Sequence, residues 1–300
     1  MTMPHTTLLI DADVLVWRAA SVAQETFAFG NVNCISADLH KAVDKFDQDV
    51  MELRRKLRAN AMILALTDPK VNWRKNVLPT YKSNRSQPKP KVFWQLREHV
   101  ENRYRAEWFP GLEGDDVMGL YATGTTIAGK RIVVSVDKDM KQIPGWLYNP
   151  NHPGKGAVYV HEDQANRFHM MQTLMGDPQD GYCGIPGIGP KKAAAILDSA
   201  AAAGVAPWDA VVSAYLKAGL SADAALQQAR VARILRCGEY DKTSGRVTLW
   251  QPPSPSPKTS VNKPVGAPPE PPSSSRTRAS GRRSRRGPSA IPGKARAAST

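Results

Sequence analysis

Cysteine is scarce in this chain of 300 residues, and the three present, Cys34, Cys183 and Cys237, are odd in number and far apart. They fit neither a disulfide framework nor a Cys-x-x-Cys metal clip, and read as buried reduced thiols. The six histidines form no pair at ligand spacing, and the sequence contains no G-x-S-x-G elbow and no P-loop. Catalysis by a side-chain nucleophile is therefore disfavoured. No apolar run approaches the ~20 residues needed to cross a bilayer. The start, MTMPHTTLLID, reaches an acidic residue before any apolar stretch of signal-peptide length and carries no basic leader. The expectation is a cytoplasmic protein with no membrane partner. Acid is in short supply too: 27 Asp and Glu face 41 Lys and Arg, a formal charge of +14.

Much of that excess lies at one end. Residues 251–300 hold ten Lys or Arg against one acid, Glu270, together with eleven of the 24 prolines and no aromatic residue. Such a segment cannot bury enough apolar surface to offset its conformational entropy, so residues 253–300 read as a disordered basic tail able to touch phosphate nonspecifically.

Upstream, three short apolar runs end in aspartate: TTLLID (6–11), AMILALTD (61–68) and RIVVSVD (131–137). Between the first two, Leu39, Val43, Phe46, Val50, Leu53 and Leu57 recur at helical spacing. Alternating buried strands and amphipathic helices predict a mainly parallel α/β sheet, whose ligands bind beyond the carboxyl ends of the strands. Asp11, Asp68 and Asp137 would then share one crevice, although turn chemistry also draws aspartate to strand ends.

A second helix opens in GLEGDDVMG, with Glu113, Asp115 and Asp116 at its start. The helix dipole favours acids there, and the same geometry aims carboxylates at a cation in the crevice. Asp137 and Asp139, two apart in what reads as an extended segment, would share a face. Asp177 and Asp180 precede the glycine-rich GIPGIGPKKA, where Gly187 and Gly189 lead into a helix starting near Pro190 whose free amides, with Lys191 and Lys192, suit a DNA backbone. Nine carboxylates in one crevice would repel strongly unless cations neutralise them, and oxygen donors in this number imply Mg²⁺ or Mn²⁺. Two such ions can activate water against a phosphodiester. Between the second strand and the acidic helix, a basic stretch interleaved with aromatics, including Arg74, Lys75, Tyr81, Lys82, Arg85 and Trp94, has the composition of a nucleic-acid contact.

IDADVLVWR, TDPKVNWRKNVLPTYKSNR, LEGDDVMG, SVDKDMKQIPG and GDPQDGYCGIPGIGPKKA together resemble the blocks of the structure-specific 5′ nucleases, the family of flap endonucleases and the polymerase I 5′ nuclease domain. Within it, VNWRK, the D-G-Y segment and the ARILRCGEYD…LW ending look most like the 5′ to 3′ exonucleases of short-tailed bacteriophages. The resemblance implies a resolvase-like (PIN-like) sheet with a helical arch and a helix-hairpin-helix element. It divides the chain into a nuclease domain (1–162, arch about 70–108), a DNA-binding subdomain (163–252) and the tail.

Carried over, Asp11, Asp68, Glu113, Asp115, Asp116, Asp137, Asp139, Asp177 and Asp180 match metal-site carboxylates, with Glu113, Asp116 and Asp137 leaning to one ion and Asp139, Asp177 and Asp180 to the other. Arg18 and Lys82 match residues facing the scissile phosphate. Arg74, Lys75, Tyr81, Arg85, Gly187, Gly189, Lys191 and Lys192 would bind DNA. The implied activity is a two-Mg²⁺ 5′ to 3′ exonuclease on double-stranded DNA with 5′ ends, nicks or flaps, with Mn²⁺ substituting and K⁺ at the hairpin, acting in host cytoplasm if phage-encoded. Flap or RNA/DNA primer removal, and a non-enzymatic DNA-end binder, are the alternatives.

Overall fold

The computed structural model describes residues 5–30 and 32–253, which lie within one compact unit, Met1–Ser254. The expected disorder of the tail concerns residues outside the described ones.

Strand β1 (Thr6–Asp11) is buried along its whole length, as a run without alternation requires of a strand covered on both faces. Its last residue, Asp11, caps helix α1 (Ala12–Val22) by accepting a hydrogen bond from the Val14 amide at 3.3 Å. A two-stranded hairpin, β2 (Gln24–Phe29) and β3 (Val32–Ala37), leads to α2 (Leu39–Lys56), which Asp38 caps through the His40 and Lys41 amides. The helix expected between the first two strands thus forms, and it spans all but the last of the apolar positions from Leu39 to Leu57. Strand β4 (Ala61–Ala65) follows, then a single turn of helix α3 (Arg74–Val77), helix α4 (Phe93–Arg103), strand β5 (Ala106–Glu107) and helix α5 (Gly114–Thr123). Strand β6 (Lys130–Val134) precedes β7 (Gly145–Tyr148) and β8 (Val158–Val160).

The sheet order is β5-β4-β1-β6-β7-β8. Every pairing is parallel except β7 with β8. From β1 the chain builds outward through β4 and β5, then returns to build β6 and β7 on the other side, so the order reverses at β1. In open α/β sheets the crevice lies at that reversal, beyond the carboxyl ends of the strands. Asp11 ends β1 at that point.

Strand pleating sends alternate residues to opposite faces. Leu8, Ile10, Leu64, Ile132 and Val134 pack with α1, α2 and α4 through Leu15, Phe46, Val50, Phe93 and Leu96. Leu9, Ile63 and Val133 face the other way, onto α5 and the segment around Ile234 and Leu235. Each fully buried aliphatic side chain contributes about 1.5–3 kcal/mol of burial free energy. Part of the expected arch, α4, therefore belongs to a core layer.

A third core, with Leu174, Leu197, Val211, Tyr215 and Ala225, joins α6 (Glu162–Met175), α7 (Pro190–Ala202), α8 (Pro207–Lys217) and α9 (Ala222–Ala232). The small hairpin β9 (Tyr240–Asp241) and β10 (Arg246–Val247) follows. The thiols are free as expected, but they are not buried: Cys183 and Cys237 are exposed and Cys34 is half-buried. Among the described residues, no helix is long and apolar enough to cross a membrane.

Candidate active site

Beyond the reversal point, the carboxylates separate into those that the protein neutralises and those that it does not. Arg74 is almost fully buried and forks onto Asp116, Nη1 to Oδ2 at 2.7 Å and Nη2 to Oδ1 at 2.8 Å. It also donates to Glu113 at 2.9 Å and to the Val231 and Arg233 carbonyls. Asp116, 0 % exposed, further accepts from the Trp73 indole and the Leu235 and Glu113 amides. Protein donors thus occupy both oxygens of Asp116, which locks α5 to α3 and to the segment after α9.

The expectation for Arg74 is corrected, since it cannot reach DNA. Tyr81 also is not an exposed stacking face. It is 2 % exposed, and its hydroxyl lies 2.9 Å from Glu113 Oε2 and 3.0 Å from Asp180 Oδ2.

Lys82 donates to Glu113 and stands 3.6 Å from Asp180, while Arg85 donates to the other Asp180 oxygen. Burial opposes ionisation of Glu113, but the Lys82 and Arg74 charges outweigh it and hold its carboxyl down at about 2. Lys82 adopts φ 53°, in the left-handed region, and its amide donates to the Asp180 carbonyl at 2.8 Å. For a lysine that backbone costs about 1 kcal/mol or more, and such strain persists where surrounding structure over-determines it. Gly181, φ 76°, makes the close approach possible: a Cβ there would sit 2.9 Å from the Thr80 carbonyl oxygen. The D-G-Y glycine is required by this crossing.

Asp11, Asp115, Asp137 and Asp139 make no ion pair with a protein cation, although Lys82 and Lys138 stand near enough to act on Asp115 and Asp139. Asp11 is buried, and its Oδ2 accepts from Ser135 Oγ at 2.8 Å. Burial, followed by the charges of Asp13 and Asp137, raises it to about 7. Asp115 is raised well above the usual carboxylate range by burial and then by Asp11, Asp137 and Glu113. Asp139 is raised to about 7 by burial and the charge of Asp137, and its Oδ1 is buried with no hydrogen-bond partner. Asp137 and Asp139 are not on an extended strand. Residues Lys138–Gln142 form a 3₁₀ turn capped by Asp137, whose side chain accepts from the Asp139 amide at 2.8 Å. A turn brings the two carboxylates together as effectively as the expected strand would have done.

Asp177 accepts from Lys138 Nζ at 2.9 Å and from the Gln179 amide. Asp68 gives both oxygens to backbone, the Lys70 and Gly111 amides at 2.8 and 2.7 Å. It therefore braces the loop after β4, and it is not among the charges that raise Asp11 or Asp115. Arg18 points elsewhere, donating to Asp49 on α2 at 2.7 Å. Lys75 is exposed on α3. Gly187, φ 75°, has nothing within 4 Å of where a Cβ would stand, as is also true of Gly189, and both Lys191 and Lys192 are exposed at the start of α7.

Sequence patterns did not single out Asp13, Ser135 or Lys138. Asp13 accepts from the Thr67 amide at 2.8 Å, and burial raises its carboxyl. A second aspartate two residues after the strand-ending one was the available signal for it.

The incompletely compensated set, Asp11, Asp115, Asp137 and Asp139, offers only hard oxygen donors, crowded and with one orphaned buried oxygen. That donor chemistry fits divalent cations of the Mg²⁺ and Mn²⁺ kind. Among the described residues no three of these groups close around a single point as a preformed cage, as expected of like charges that nothing holds together.

A doubly wound sheet with unneutralised carboxylates at its reversal point and cations along one rim defines a resolvase-like nuclease scaffold. The 5′–3′ exonuclease N-terminal, resolvase-like domain matches residues 6–149. The exodeoxyribonuclease of Enterobacteria phage T3 is 32 % identical over 287 residues, covering 82 % of this chain and 92 % of that protein. The exonuclease of Escherichia phage T7 is 32 % identical over 289 residues, covering 82 % and 93 %. In three dimensions the chain is similar to the T5 D15 protein crystallised with metal ions, with a TM-score of 0.58 at 16 % identity over 76 % of this chain and 89 % of that one, a likeness of fold. The chain belongs to the 5′–3′ exonuclease family and is a 5′–3′ nuclease acting on DNA.

Proposed function

We propose that the chain is a Mg²⁺-dependent 5′ to 3′ exodeoxyribonuclease that degrades double-stranded DNA from 5′ ends and nicks and also removes flaps. The observation that carries this reading is the group Asp11, Asp115, Asp137 and Asp139, buried or crowded at the sheet's reversal point, where Lys82 and Lys138 offset the burial and mutual repulsion that raise Asp11, Asp115 and Asp139 only in part. Support for a divalent metal comes also from the T5 5′-exonuclease, whose structure has been solved with divalent zinc ions. Asp11, Asp115, Asp137 and Asp139 would hold such ions, which when bound would supply a nucleophilic water and stabilise the leaving oxygen.

The chain's own residues do the rest. Asp11, Asp115, Asp137 and Asp139 hold negative charge at fixed positions, with Ser135 orienting Asp11. Lys82, kept protonated against burial by Glu113 and Asp180, places a positive charge beside the phosphate and stabilises the charge that develops there during cleavage. Arg85 extends that cationic rim. Gly187, Gly189, Lys191 and Lys192 offer a bare backbone turn and two cations to a duplex phosphate, with K⁺ as a fitting companion ion. The nuclease domain is taken as 1–162 and the DNA-binding subdomain as 163–252, and the working compartment as the cytoplasm.

Incubating 5′-labelled blunt duplex, flapped duplex and RNA/DNA hybrid with Mg²⁺, with Mn²⁺ and with excess chelator tests the reading. Cleavage from the 5′ end with either ion and none in chelator is expected. Cleavage that survives chelation overturns it.

A further inference from the structure

The carboxylate crevice lies at the carboxyl ends of the strands, and the opposite end of the sheet is open too. At the amino ends of β6 and β7 a cavity of about 680 Å³ has walls that include Lys130, Arg131, Trp146, Tyr159, Glu162 and Arg236. Helix α5 runs between the two ends: its first turn carries Asp115, and its last residues, Ala122 and Thr123, reach the cavity. Ten residues of helix span about 15 Å. The cavity is therefore separate from the reaction centre.

Three cations meet one acid there. Among the described residues Lys130 and Arg131 take part in no ion pair: the Lys130 ammonium lies over the Trp146 ring, 3.7 Å from its centroid, and Arg131 donates to the Gly124 carbonyl. Arg236 is only 9 % exposed. Its Nη2 donates to the Gln142 carbonyl at 2.8 Å, the exposed Glu162 stands 3.8 Å from Nη1, and Nε is buried with no hydrogen-bond partner. Burial and then the Arg233 charge push this guanidinium down to about 10, as happens to a cation whose counter-charge is incomplete. Buried donors in native structures are nearly always paired, by water or a ligand where the protein itself does not serve.

The rings complete the chemistry. Tyr159 is 47 % exposed and stands edge-on to Trp146, with ring centroids 5.4 Å apart. A cationic hollow with an open aromatic face suits a ligand that is anionic at one end and planar at the other, and its volume falls within the ~300–1,000 Å³ of small-molecule sites. A duplex backbone would use the cations and leave the ring idle, and an acidic peptide brings charge without a base. We propose that this cavity binds a nucleoside monophosphate, with the phosphate held by Lys130, Arg131 and Arg236 and the base stacked on Tyr159. Exonucleolytic cleavage releases such molecules; that source rests on the nuclease reading above, whereas the binding does not.

The test is equilibrium dialysis of the full chain in chelator against labelled deoxyadenosine monophosphate, with deoxyadenosine, inorganic phosphate and an oligo-aspartate peptide as competitors. The nucleotide binds, and each competitor displaces it only at about tenfold higher concentration or more, since each lacks one of the two contacts. Lys130→Met keeps the apolar stem over Trp146 and removes the charge, weakening nucleotide binding about tenfold or more. Tyr159→Leu removes the stacking face and weakens it about 5–100-fold, while displacement by phosphate still occurs. Both variants, checked for folding by circular dichroism, keep the parent's affinity for a blunt duplex and its cleavage rate with Mg²⁺. No nucleotide binding by the parent overturns the proposal, as does binding that both variants retain. Binding lost in Lys82→Ala and kept in Lys130→Met places the nucleotide in the crevice and overturns it as well. Tighter binding of the peptide, or a loss of duplex affinity in Lys130→Met, makes the surface a protein or DNA contact and likewise overturns it. Failure of the nuclease reading shows separately, as no cleavage by the intact chain with Mg²⁺ or Mn²⁺, and leaves the dialysis measurements valid.

Discussion

Asp115 and Asp116 are neighbours in the first turn of α5, and changing each to asparagine should move stability in opposite directions. Asp116→Asn keeps the shape but removes the charge that a buried Arg74 fork engages at 2.7 and 2.8 Å. Removing one partner of a buried pair costs about 3–5 kcal/mol, because the other charge is left uncompensated. In a body of roughly this size each kcal/mol is worth about 2–4 °C, so the melting temperature should fall by about 6–20 °C. Asp115→Asn removes a charge that burial, Asp11, Asp137 and Glu113 all oppose. Without metal at pH 8, its melting temperature should rise. Activity should invert the order. Under single-turnover conditions at 20 °C with Mg²⁺, Asp115→Asn should lose orders of magnitude in cleavage, while folded Asp116→Asn should stay within about tenfold of the parent. The assay is thermal unfolding by circular dichroism in chelator, paired with cleavage of a 5′-labelled duplex. Equal destabilisation by the two substitutions would refute the division of the crevice into neutralised and unneutralised carboxylates.

Metal-free stability should fall as pH rises from 5 to 8. Asp11 binds its proton more tightly folded, at about 7, than unfolded, near 3.8, which amounts to about 3 kcal/mol over that window. Urea titrations in chelator should show the fall and saturating Mg²⁺ should flatten it, whereas a flat metal-free profile would contradict the assignment. Glu113, held near 2, works in the opposite sense, its contribution being lost as pH drops below about 4. Lys82→Ala should lower the single-turnover rate more than DNA affinity, and equal losses in both would make Lys82 a simple backbone contact. Gly181→Ala should destabilise by about 1–3 kcal/mol, since its φ of 76° and the Thr80 carbonyl at 2.9 Å leave no room for a methyl group; unchanged urea midpoints would show that the crossing relaxes.

Three of the six strands, β1, β4 and β6, were legible because each is a short, mainly apolar run that ends in or is soon followed by aspartate. The helix over residues 39–56 was legible because its apolar residues repeat at helical spacing. The roles of Arg74 and Tyr81 were not. A basic residue beside an aromatic looks the same in sequence whether it faces DNA or plugs a gap between carboxylates, and only the packing of α3 against α9 decides. The same holds for Asp115 and Asp116. Adjacent residues on a helix differ by about 100° in direction, so one faces the crevice and the other Arg74, and the rotation of α5 is fixed by Leu235 and Trp73, far away in the chain. Asp68 shows the limit of strand-end reasoning: its carboxylate stands just beyond β4, yet it is consumed by the turn that it terminates.

The turn at Thr80–Lys82 ties its backbone to Asp180 and its side chains to Glu113. The crevice is therefore closed by residues spread from position 11 to position 180. On a ribosome adding about 5–20 residues per second, that interval lasts on the order of 10–30 s. During it the growing chain holds Asp11 and the acidic helix but not the segment that positions Lys82. A nuclease assembled in this way should stay inert while nascent, gaining its cutting centre only after the helical region has packed.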